Sequence, residues 1–113
     1  MRRLGISFSI RGRQIIVSKG VMETLGNSEF NRFWLDEKGK KLAMQACGMN
    51  DKGAKRVADN QRNKCWKVSC LDLVKMIYTL CGWNRNKLYW IEGNYYQNEA
   101  LVEFKLEEAV EAE

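Results

Sequence analysis

The sequence predicts an α+β fold in which two degenerate βαββ units pack as a pseudo-two-fold pair within a single domain, and three observations carry that expectation. The order strand, short helix, glycine, hairpin occurs twice. Gly26 and Gly82, and likewise Trp34 and Trp90, are each separated by 56 residues. The length, 113 residues, supports one hydrophobic core, and a unit of half that size would leave one face of its small sheet exposed unless a second unit covered it. Unit one is read as residues 4–47, a polar connection as 48–63, unit two as 64–106 and an acidic tail as 107–113.

Ile6, Phe8 and Ile10 alternate with Ser7 and Ser9, the period of a half-buried strand, and Arg11-Gly12-Arg13 turns it into the apolar strand Gln14 to Val17. Ser18 is placed to cap a short helix with Val21, Met22 and Leu25 on its apolar stripe, and Gly26 is suited to the left-handed conformation that ends it. Phe30 to Leu35 and Lys41 to Ala46 read as a hairpin around Asp36-Glu37-Lys38-Gly39. In the second unit, Cys65 to Val68 is the strand and Ser69 the expected cap of a helix with Leu73, Val74, Ile77, Leu80 and Cys81 on one face. Gly82 ends that helix. Leu88 to Glu92 and Ala100 to Leu106 form the last expected hairpin, with a turn through Gly93-Asn94 and with Tyr95 and Tyr96 at its tip. The closing stretch LEEAVEAE is expected to be a frayed, solvated tail.

Lys and Arg number 19 against 14 Asp and Glu, a net charge of +5. That total hides a polarity: residues 1–67 carry 15 basic and 6 acidic side chains, whereas 68–113 carry 4 and 8. An anion-binding face should therefore be built from the first part. The chain has no His, which removes Ser-His and Cys-His catalysis and most catalytic zinc sites. Neither a paired-carboxylate motif nor a glycine-rich phosphate loop is present, so an enzyme, a metal site and a cofactor are not expected. Cys47, Cys65, Cys70 and Cys81 contain no C-x-x-C pair, and apolar neighbours suggest reduced, buried thiols in a cytoplasmic protein. No apolar run approaches the length of a membrane span.

The stretch RQIIVSKGVMETLGNSEFNRFWLDEKGKKLAMQA resembles the AbrB-like, or swapped-hairpin, DNA-binding family, in which a strand, a short helix ending in Leu-Gly and a hairpin recur; residues 65 to 106 resemble it more weakly. The resemblance implies a regulator whose basic residues near the first strand and helix, here Arg11, Arg13 and Lys19, meet DNA. Lys38, Lys40, Lys41, Lys52, Lys55, Arg56 and Arg62 extend the candidate basic surface. On physical grounds, such side chains on a twisted hairpin neutralise phosphates without reading bases. The alternative is a phage-type sequestering or inhibitory protein that binds a nucleotide messenger or a host defence protein. For that role Trp83, Tyr95 and Tyr96 would contact a base or partner and Arg85 and Lys87 a phosphate. A homodimer is left open.

Overall fold

Alternation decides which residues turn inward. The computed structural model describes residues 4–60 and 65–112, and in it Ile6 and Phe8 of β1 (Gly5–Ser9) and Ile15 and Val17 of β2 (Gln14–Val17) are fully buried. Ser7 and Ile16 between them are only half-buried. The two strands pair antiparallel, Ile6 opposite Val17 and Phe8 opposite Ile15, as the period of two requires. Ser18 caps α1 (Lys19–Thr24): its hydroxyl oxygen accepts from the Val21 N–H at 3.4 Å and also from the Gly5 N–H at 3.1 Å. One side chain thus ties the helix start to β1. Gly26 follows at φ +79°, the left-handed region expected of it. The hairpin of β3 (Phe30–Asp36) and β4 (Lys41–Ala46) also forms as read, with the Asp36 carboxylate accepting from the Gly39 N–H at 3.0 Å.

The expected α+β pair of βαββ units is overturned. The strand-helix-hairpin order recurs through β7 (Cys65–Ser69), α2 (Leu71–Cys81), β8 (Leu88–Tyr96) and β9 (Leu101–Lys105). These segments nevertheless do not build two small sheets packed face to face. β2 pairs with β7 and β4 with β9, so the strand edges of each half are taken up by strands of the other. One antiparallel sheet results, ordered β5-β3-β4-β9-β8-β1-β2-β7-β6. Its two end strands, β5 (Lys55–Arg56) and β6 (Ala58–Asn60), are consecutive in the chain with only Val57 between them. The sheet therefore curls back on itself as a nearly closed, mostly β barrel with two helices. Closure is favoured because it leaves few unpaired backbone groups at an edge.

Four local expectations change with it. Residues 48–63, read as a connection, supply the two short strands that complete the barrel; Val57 between them is buried. Ser69 ends β7 instead of capping the helix, and Cys70 is the N-cap, without a side-chain capping bond. Gly93 and Asn94 lie within β8; the hairpin tip is at Gln97 to Ala100, closed by the Ala100 N–H on the Gln97 carbonyl at 3.2 Å. The expected frayed tail is structured through residue 112. A 3₁₀ turn at Leu106–Glu108 buries Leu106, and β10 (Val110–Ala112) pairs with Leu88 to Trp90.

The barrel interior is filled by Ile6, Phe8, Ile15, Val17, Leu42, Met44, Val68, Ile91, Val102 and Phe104, each at most 1% exposed. Val21 and Met22 of α1 and Val74, Ile77 and Tyr78 of α2 complete the core, and α1 packs against β7 and α2 against β2. Burying side chains of this size stabilises by roughly 1.5–3 kcal/mol each before entropy is counted. No helix among the described residues is long and apolar enough to cross a membrane.

β8 changes neighbours at Gly93: Tyr89 to Glu92 pair with β1, and Gly93 to Tyr96 with β9. A Cβ at position 93 would lie 2.6 Å from the Phe104 ring and 2.8 Å from Val102 Cγ1, both buried atoms. Gly93→Ala should therefore destabilise the protein by about 1–3 kcal/mol through overpacking, read as a lower midpoint in urea with an unchanged slope. An unchanged midpoint would contradict this packing.

Candidate functional site

Three segments meet at one end of the barrel: the tip of the β1–β2 hairpin, the first turns of α2, and the loop from α2 to β8. Each is held in place by bonds that can be traced. At the hairpin tip the Gly12 N–H donates to Ser9 Oγ at 2.9 Å and the Arg13 N–H to the Ile10 carbonyl at 3.2 Å. The start of α2 is tied to that tip by the Cys70 N–H, which donates to the Arg13 carbonyl at 3.3 Å. Farther along α2, the Tyr78 hydroxyl lies 3.0 Å from the Phe8 carbonyl and 2.7 Å from that of Lys87. It links helix, barrel wall and loop. Within the loop, the Asn84 N–H donates to the Tyr89 hydroxyl and the Asn86 N–H to Asn84 Oδ1, both at 2.9 Å.

These bonds present Arg11, Arg13, Lys75, Arg85 and Asn86 around a cleft of about 380 Å³, with Ile10 and Leu71 as its apolar contribution. Four cations line it, and none of the described lining residues is a carboxylate. Arg13 occupies the left-handed region, at φ 57°, where glycine or asparagine is the usual choice. Lys40 and Ala100 take the same conformation at the corresponding turns of the other two hairpins, so it is a property of the turn. A second recess of about 490 Å³ adjoins the first and shares Lys75 and Arg85 with it; Glu37, Met76, Thr79 and Leu80 form the rest of its wall. Met76 is 48% exposed there, a large apolar side chain left at the surface.

The structure brings together some of the candidate residues and separates others. Arg11 and Arg13 of the basic set meet Arg85, which the alternative reading had singled out. Lys19 pairs instead with Glu23 at 3.9 Å and Arg56 with Glu29 at 3.1 Å, exposed pairs that contribute little to stability. Lys38, Lys40 and Lys41 belong to the β3–β4 turn and its flank, Lys52 to a turn held by the Asp51 carboxylate on the Gly48 N–H, and Lys55 to β5. None of these five lines the cleft. Arg62 lies outside the described residues.

Trp83 does not serve as a free stacking platform. It stacks on Tyr89 at 4.3 Å between ring centroids, and Tyr78 meets both rings edge-on, so Trp83 is part of the packing under the loop. Lys87 contributes its carbonyl to Tyr78 and is not a lining residue. Tyr95 and Tyr96 are exposed but sit at the far end of β8, on the order of 25 Å from the loop at ~3.3 Å per residue. Lys75 was not expected at the site, because helical periodicity assigns it only to the solvent side of α2. One signal existed: Lys75 and Arg85 are two of only four basic residues after Lys67.

No group of three metal-ligating side chains occurs among the described residues. The Cys70 thiol beside the cleft donates to the Val68 carbonyl at 3.4 Å and is buried. Burial pushes its pKa up from 9.0 to about 11, while the Lys55 charge opposes that rise. Burial likewise raises Cys47 and Cys81 above the ordinary thiol value. Such thiols remain protonated at neutral pH and are poor nucleophiles.

Compared with protein-family models, with curated proteins and with solved structures, the chain matches none.

The raised Cys70 pKa has a consequence for stability. Above pH 9 the unfolded chain loses its thiol proton, whereas the folded chain keeps it until about pH 11. Stability supplied by the buried neutral thiol is present below pH 9 and is lost as pH rises through that window. The urea midpoint should fall between pH 9 and 11, and Cys70→Ala should flatten the fall. An identical pH slope in the two proteins would contradict the burial of this thiol.

Proposed function

We propose that the protein is a small, non-enzymatic nucleic-acid-binding regulator that grips the phosphate backbone in the cleft of Arg11, Arg13, Lys75 and Arg85. The observation carrying this reading is the convergence of four cations, from a hairpin tip, a helix and a loop, without a lining carboxylate. Guanidinium groups suit phosphate because their planar donors bond two oxygens at once. The resemblance of residues 13 to 46 to AbrB-like proteins, read from the sequence alone, implies the same role. A cytoplasmic setting belongs to this proposal and accords with the free thiols of Cys47, Cys70 and Cys81.

A second reading, sequestration of a free nucleotide messenger by a phage-type inhibitor, is favoured by one feature. The basic positions surround an open cleft of small-ligand dimensions beside a recess walled in part by Met76 and Leu80, in place of a long stripe. Binding of a host defence protein has no comparable support.

The test is the salt dependence of binding to a fluorescently labelled 20-base-pair duplex and to a single strand of the same length. Wild-type affinity should fall steeply as salt rises. Replacing Arg11 and Arg13 together by Gln should preserve the fold, because both are exposed. It should flatten the slope of log affinity against log salt by about two units. Wild-type protein without salt-sensitive binding to either strand form would remove the proposal, and an unchanged slope in the double variant would place the phosphate footprint elsewhere.

A further inference from the structure

The two adjoining recesses differ in chemistry, and that difference carries more than phosphate binding. One is cationic, with Arg11 and Arg13 at its outer wall. Its neighbour is walled by Met76, Leu80 and Thr79 on successive turns of α2, with Glu37 opposite from the β3–β4 turn. Lys75 and Arg85 stand on the border and line both. A ligand spanning them would need an anionic end and a flat or apolar end joined at short range, with hydrogen-bonding groups on the apolar part for Thr79 and Glu37. A duplex offers phosphate there but keeps its bases stacked and paired inside the helix. An unpaired nucleotide meets all three requirements.

We infer that the paired recesses form one bipartite site for a nucleoside phosphate, with the phosphate on Arg11, Arg13, Lys75 and Arg85 and the unpaired base against Met76 and Leu80. This rests on the reading of the cleft as a phosphate site and adds the requirement for a base. Met76 suits the second role. It is flexible and polarisable, and its sulfur makes favourable contact with aromatic rings. The site selects unstacked nucleotides over duplex by shape and apolar contact, without specifying base identity.

The experiment uses the full chain and two single strands of eight units with equal charge, one of deoxyadenylates and one of abasic deoxyribose phosphates. The base-bearing strand should bind about tenfold more tightly, a difference of roughly 1.4 kcal/mol. Met76→Gln, which keeps size and charge at an exposed position, should reduce that preference to about threefold or less while leaving the salt slope unchanged. The Arg11 and Arg13 double variant should instead weaken both strands alike. Adenosine monophosphate is titrated against inorganic phosphate in parallel. Stronger competition by the nucleotide, lost in Met76→Gln, supports the bipartite site with a free nucleotide as its ligand. A base preference confined to the strand supports the same site with a chain-borne nucleotide. Equal affinity for the two strands, or a preference untouched by Met76→Gln, overturns the inference even if salt-dependent phosphate binding persists. Absence of binding by both strands, by adenosine monophosphate and by inorganic phosphate overturns the phosphate reading as well.

Discussion

β8 must satisfy backbone partners on both sides, and the rest of the barrel is arranged around that requirement. Its first half is hydrogen-bonded to β1 on one edge and to β10 on the other, while its second half is taken by β9. In the half of the strand where Tyr89 and Ile91 are buried, these groups could not be left unpaired without a cost of order 1–3 kcal/mol for each one left dry. The change of neighbours at Gly93 is where the strand passes from one part of the sheet to the other. The absence of a side chain there lets Phe104 and Val102 close over the backbone. At the opposite side of the sheet, the break at Val57 lets one short segment pair with β3 before it and β7 after it. These two places turn what would be an open sheet into a barrel.

Barrel closure also accounts for the cleft. Because β1 lies between β8 and β2, the hairpin tip that follows β1 and the loop that precedes β8 are brought to the same end. Helix α2 supplies the third wall, positioned by the Tyr78 hydroxyl against the Phe8 and Lys87 carbonyls. Arg11 and Arg13 are thus set beside Lys75 and Arg85, which are more than 60 residues away in sequence. Like charges gathered in this way repel one another, and an anion relieves that repulsion.

Local structure was legible where a residue type has one dominant physical role. Alternation exposed β1 and β2, Ser18 marked the start of α1, and Gly26 and Gly82 marked the two helix ends. Pairing partners were not legible, because a period of two says which face is buried and not which strand lies alongside. That is why a recurring strand-helix-hairpin order suggested two small sheets where there is one closed sheet. The short strands β5 and β6 were hidden in polar sequence, with Val57 their one buried apolar residue, and β10 in a stretch dominated by carboxylates. For the site, Arg11 and Arg13 stood out by their turn. Lys75 and Arg85 acquire meaning only when the barrel folds them against that turn, and Trp83 looked available only while its stacking on Tyr89 was unknown.

The convergence of four cations at one end of a nearly closed barrel is most directly tested by nuclear magnetic resonance, following backbone amides and arginine side chains while pyrophosphate is added to the 113-residue chain. The account predicts saturable shifts concentrated at Arg11, Arg13, Lys75, Arg85 and Asn86, with Lys38, Lys40, Lys41 and Lys52 little changed. Shifts centred on the β3–β4 turn, or spread evenly over every exposed lysine and arginine, would contradict it.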